Sequence, residues 1–104
     1  MNLRLVYITA KDREECRRIG RALVEERLCA CANILGEMNS FYRWEGKLQD
    51  DREAVLIAKT RAELVERLIA RVKQLHSYQI PCVVTLPILE GNPDFLKWIE
   101  DETG

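Results

Sequence analysis

The chain has 104 residues, 47% of them apolar and 32% charged, and sixteen Lys/Arg against seventeen Asp/Glu leave a net charge of −1. That length suits one compact domain with a modest core of its own. The near-neutral balance lacks the basic footprint of a nucleic-acid or anionic-membrane binder, and the apolar fraction is too high for a disordered chain.

No stretch approaches the roughly 18 apolar residues that a membrane span needs. Met1 to Thr9 is interrupted by Arg4 and runs into Lys11-Asp12-Arg13-Glu14-Glu15, unlike a secretory leader. A cytoplasmic location is therefore expected. The four cysteines are Cys16, Cys29, Cys31 and Cys82, and no Cys-x-x-Cys occurs among them. In a reducing compartment they read as free thiols serving as small buried hydrophobes.

Leu3 to Thr9 is short and aliphatic, and reads as a buried strand. Asp12 with Glu15 three residues on forms a capping box, and Cys16, Ile19, Gly20, Leu23 and Val24 recur at helical spacing. This predicts an amphipathic helix ending near Leu28. Cys29 to Leu35 is the next strand, with Cys29 and Cys31 on one face. Gly36 to Asn39 breaks or bulges it, and Ser40 to Trp44 resumes it. Glu45-Gly46 marks a hairpin turn, after which the chain runs back to Ala54–Thr60 through a polar middle. Thr60 and Glu63 suggest a second capping box, and Leu64, Val65, Leu68, Ile69, Val72 and Leu75 form the stripe of a second helix. Cys82 to Leu89 is the last strand, with Pro87 expected at an edge or bulge. Asn92 and Pro93 open a short final helix through Ile99.

The order β-α-β-β-α-β predicts a ferredoxin-like split βαβ α+β domain over residues 1–104. Two helices pack on one face of a four-stranded antiparallel sheet. The hairpin arms, at about 15 residues, far exceed the typical five or six. The overhang leaves unpaired edge groups, and pairing with further copies of the chain answers that. A homo-oligomer with inter-chain sheet contacts is expected.

Other activities carried by this fold lack their signatures. Ala54–Ala58 has no stacking aromatics for RNA, and the loop after the first strand has no metallochaperone cysteines and no Gly-rich anion cradle. His76 is the only histidine, so a His-based catalyst would pair it with Cys82 or Cys31. No oxyanion donor accompanies either pair, and no enzyme is expected.

The order of several short segments is more specific. Val6-Tyr7-Ile8-Thr9-Ala10, Ala22 to Cys31, and Cys31-Ala32-Asn33 come first. Tyr42-Arg43-Trp44-Glu45-Gly46-Lys47, Lys59-Thr60, and His76-Ser77-Tyr78-Gln79-Ile80-Pro81 follow. Leu86-Pro87 and Gly91 to Trp98 complete the series. Together they closely resemble the CutA family of divalent-cation tolerance proteins over essentially the whole chain. The resemblance implies a ferredoxin-like homotrimer, similar in architecture to the signalling protein PII, and a role in tolerance of copper and other divalent cations.

The resemblance also implies a copper site near the histidine segment, carried onto His76; Cys82, six residues on, is a thiol that a turn could bring to the same metal. Some of the family's donors are absent. Leu75 precedes His76 where some members have a His doublet, and Ser77 stands where Pro is usual. Gln79 replaces a common Glu, Cys82 an acid, and Ile8 a cysteine of some members. Thiolate favours soft Cu(I). Tyr42, Trp44, Tyr78 and Trp98 are candidate walls of an inter-subunit cleft. Cys31, Asn33, Lys59 and Gln79 would add polar groups. Such a cleft could hold a small anion or a metal chelate. The other reading is a PII-like scaffold whose clefts bind a metabolite or a protein partner.

Overall fold

A computed structural model describes the chain from Met1 to Gly104. Its elements are β1 (Leu3–Ala10), α1 (Arg13–Glu25), β2 (Cys31–Trp44), β3 (Lys47–Arg61), α2 (Val65–Leu75), β4 (Val83–Ile88) and α3 (Pro93–Asp101). The sheet order is β2-β3-β1-β4, antiparallel throughout. This is the expected split βαβ arrangement.

Alternation along the strands sends Val6, Ile8 and Ala10 of β1, and Ala54, Leu56 and Ala58 of β3, to one face. There they meet Cys16, Ile19 and Leu23 of α1 and Leu68 and Val72 of α2 in a single core. Gly20 is the point of closest approach: a Cβ there would stand 3.1 Å from Leu56 and 3.2 Å from Ala32. A small residue thus lets α1 settle on the sheet.

The opposite face has no such cover over most of its area. The register lines up Asn33, Ile57, Tyr7 and Val84 across the four strands, and Cys31, Lys59, Leu5 and Leu86 in the next row. Val84 is 54% exposed and Leu86 60%. One end of this face is closed where Ile99 and Leu96 of α3 pack with Leu3, Ala30 and Ile88, and toward the other end Thr9, Val55 and Glu53 are buried as well. The C-terminus is held there too, by Arg27 Nε donating to the Gly104 carbonyl at 3.1 Å and Arg61 Nε to Thr103 Oγ1 at 2.9 Å.

The β2–β3 hairpin projects from this body and stretches the molecule to 44 × 25 × 22 Å. Its Glu45-Gly46 tip has φ of 49° and 78°, the left-handed pair that a tight hairpin turn requires. The expected interruption is a register shift between Leu35 and Met38. It changes which residues of β2 face which way. Leu35 shares a face with Val55, whereas beyond the shift Met38, Ser40 and Tyr42 share that face with Glu53, Asp51 and Gln49.

Three boundaries differ from expectation. The first helix stops at Glu25, because Arg27 turns left-handed (φ 61°) and the N–H groups of Leu28 and Cys29 both return to the Leu23 carbonyl. Cys29 therefore lies in the turn and not on a strand face beside Cys31. Thr60 does not cap the second helix: it stays in β3, fully buried, and donates its hydroxyl to the Leu28 carbonyl at 2.7 Å. A 3-10 turn, Ala62–Leu64, leads into α2 with no side-chain cap. Asp12 caps α1 as expected, accepting the Glu15 N–H at 2.8 Å. Pro87 sits on β4, an edge strand. No helix is long and apolar enough to cross a membrane.

Candidate functional site

The connection from α2 to β4 is irregular, and two buried polar side chains hold it in place. His76 ends α2, with its side chain fully buried. Its Nε2 donates to the Thr9 carbonyl at 2.7 Å, and its Nδ1 accepts the Tyr78 N–H at 3.0 Å. A carbonyl only accepts and an amide N–H only donates, so these partners hold the neutral ring with its proton on Nε2. Glu15, also buried, accepts the N–H of Ser77 at 2.8 Å and of Lys11 at 3.2 Å. Burial would push its carboxyl up, but the hydrogen bonds from Ser77 and Lys11 outweigh this and hold it below its ordinary value.

The connection held in this way faces the hairpin across a cavity of about 510 Å³, lined by Thr9, Tyr42, Trp44, Glu53, Tyr78, Gln79, Ile80 and Cys82. Tyr78 crosses it, donating its hydroxyl to Glu53 Oε2 at 2.8 Å. Burial and that hydrogen bond push the Tyr78 phenol pKa up. Tyr42 donates in the same way to Asp51, and its phenol too is pushed up, mainly by that bond. Tyr78 also stacks at a tilt on the His76 ring, with centroids 4.7 Å apart.

Of the residues singled out in the sequence, Tyr42, Trp44, Tyr78, Gln79 and Cys82 meet at this cavity. His76 stands behind its wall. Cys31, Asn33 and Lys59 form a separate group on the uncovered sheet face, where Lys59 Nζ donates to Asn33 Oδ1 at 2.9 Å and lies 3.7 Å from Cys31 Sγ. Trp98 is on α3, paired with Phe95 at 5.4 Å, and does not line the cavity. Glu53, Thr9 and Ile80 were not singled out. Alternation from Val55 gives the strand face of Glu53, but its burial comes from the long-range contact with Tyr78.

The donors of one chain do not by themselves make a metal centre. No three His, Cys, Asp or Glu side chains gather in a way that could hold an ion. His76 has both nitrogens engaged, and to bind a metal it would have to give up the Tyr78 N–H or the Thr9 carbonyl. Among the cavity residues, the half-buried Cys82 thiol is the soft donor and the Glu53 carboxylate the acidic one.

Comparison with known proteins agrees with this architecture. The family model for the CutA1 divalent ion tolerance protein matches residues 4–102. The divalent-cation tolerance protein CutA of Thermus thermophilus is 46% identical over 100 residues, covering 96% of this chain and 97% of that one. Its solved structure superposes with a TM-score of 0.96 at 45% identity, over 98% of this chain and 99% of the other. The crystal structure of CutA1 from Oryza sativa gives a TM-score of 0.97 at 39% identity, covering 100% of this chain and 95% of that one. A CutA structure from Archaeoglobus fulgidus, described as periplasmic, gives 0.93 at 41% identity over 96% and 97%. Residues 4–102, nearly the full length, thus match in sequence, and the fold matches over the same span: the chain belongs to the CutA1 divalent ion tolerance protein family.

Proposed function

We propose that this chain works as a non-enzymatic homotrimer that binds divalent cations as cargo in its hairpin clefts, with copper the first candidate. The observation that carries this reading is the cavity in which Tyr42, Trp44, Tyr78, Gln79 and Cys82 converge. It is roomy and walled by aromatic groups, and it offers both a soft thiol and a carboxylate. That suits a cation arriving with a small chelator better than a bare ion, which would need more protein donors than one chain supplies. Cys82 is the protein's ligand in this reading. His76 shapes the cleft, and becomes a ligand only if its ring is released.

Trimer formation draws support from the uncovered sheet face. Exposed Val84 and Leu86, with half-buried Leu5, Tyr7 and Ile57 beside them in register, form an apolar surface on the lone chain. Further copies of the chain would cover it, and the long hairpin would find strand partners. Four free thiols fit a reducing, cytoplasmic setting.

A native mass spectrum of the reduced protein, with and without stoichiometric copper, tests the reading. The expected result is a trimer that gains copper in proportion to its chains and loses that gain in Cys82→Ser. A trimer that takes up none redirects the cleft to a metabolite or a protein partner, and a monomer refutes the assembly.

A further inference from the structure

Glu53 lies between the aromatic cavity and a polar cleft lined by Lys11, Arg13, Arg17 and Arg52, yet it pairs with none of these cations. The residue is only 8% exposed, and its one hydrogen-bond donor is the neutral Tyr78 hydroxyl. No Lys, Arg or His forms an ion pair with it. Arg52, its neighbour on β3, lies on the other strand face and pairs with Glu37 at 3.5 Å. A carboxylate removed from water is costly unless a cation compensates. Glu53 is also part of the aromatic cavity wall, where a cation entering the cavity can pair with it.

The walls indicate what kind of cation this is. Tyr42, Trp44 and Tyr78 surround the space with ring surface, whose π faces attract positive charge and whose apolar area suits alkyl groups. A bare divalent ion is strongly hydrated and wants several oxygen, nitrogen or sulfur donors, which one chain does not gather. An alkylated ammonium needs far less: one carboxylate and aromatic faces. The Gln79 amide remains available for a polar tail, and about 510 Å³ accommodates a small metabolite. We propose that the metal-free cleft binds a small organic cation of the alkylammonium class, with Glu53 as counter-ion and Tyr42, Trp44 and Tyr78 as an aromatic wall. This rests on the reading of the cleft as the ligand site, and it adds the ligand's charge and shape.

The test is calorimetric titration of the metal-free, fully assembled protein with choline and with neohexanol, its uncharged isostere. Choline is expected to bind at least about tenfold more tightly than neohexanol. Glu53→Gln should erase that preference while leaving oligomer mass and circular dichroism unchanged. If this variant fails to fold, the comparison of the two ligands on the unmodified protein still decides. Equal binding of both ligands would overturn the proposal, since the cleft would then select shape alone. Undetectable choline binding in a protein that still takes copper at Cys82 would overturn it and leave the cleft reading standing. Failure of both choline and copper would overturn the two together.

Discussion

Glu15, in the first turn of α1, accepts the backbone N–H of Ser77 at 2.8 Å, sixty-two positions away in the chain. This one contact ties the start of the first helix to the connection that walls the cleft. Loss of the charge at Glu15 therefore acts on stability and on cleft shape together.

The sign of its pH dependence follows from its lowered pKa. A depressed carboxyl contributes stability that is complete above its unfolded value and lost as pH falls through the folded one. Thermal stability should therefore fall on acidification below the ordinary carboxylate range, near 4.5. Glu15→Gln should lower stability at neutral pH by about 1–3 kcal/mol and flatten that acid limb. Melting curves taken across pH would check both effects.

His76→Ala leaves the Thr9 carbonyl and the Tyr78 N–H without their partner in a buried setting. A destabilisation of about 2–5 kcal/mol is expected from two unmet groups and the vacated volume. It should appear equally with and without copper. Denaturant unfolding in the presence of a chelator is the measurement, and an effect seen only with metal present would mark His76 as a ligand.

Thr60→Val removes the hydroxyl that donates to the Leu28 carbonyl at 2.7 Å but keeps the branched shape. The cost should be about 1–3 kcal/mol, because the carbonyl stays buried and unmet. Urea titration would detect it, and a helix-cap role would instead predict fraying confined to α2.

The thiols should differ in reactivity. Burial pushes Cys16 up to about 11 and Cys29 up to about 12, so neither supplies much thiolate at pH 8. Alkylation followed by peptide mass analysis should find Cys82 labelled before either of them. Prompt modification of Cys29 in the folded protein would contradict its burial.

Trp44 lies near the hairpin tip and is 39% exposed in the single chain. Trp44→Ala should weaken assembly more than it weakens the fold of each chain. Oligomer mass measured over a dilution series checks this, and an unchanged mass at high dilution would count against it.

Much of the fold was legible in the sequence because it rests on local rules. Alternating strands, two helical stripes, the Asp12 cap and the Glu45-Gly46 turn each follow from neighbouring residues, and their order leaves one natural topology. Residues of two distant segments, Tyr42 and Trp44 and then Tyr78 and Gln79, were also identifiable from motif order, and Cys82 from its spacing to His76. Long-range contacts decided the rest. Thr60 resembles a helix cap by spacing, but the Leu28 carbonyl claims its hydroxyl. His76 has the chemistry of a ligand, but Thr9 and Tyr78 occupy both its nitrogens. Glu53 sits in a polar stretch that looks like a solvated hairpin, and only the register of β3 and the crossing Tyr78 turn it into a buried wall of the cleft. Spacing along the chain determines which side chains are available. Pairing across the sheet determines which of them are already engaged, because a buried donor or acceptor takes the nearest partner that spares it from being left unsatisfied.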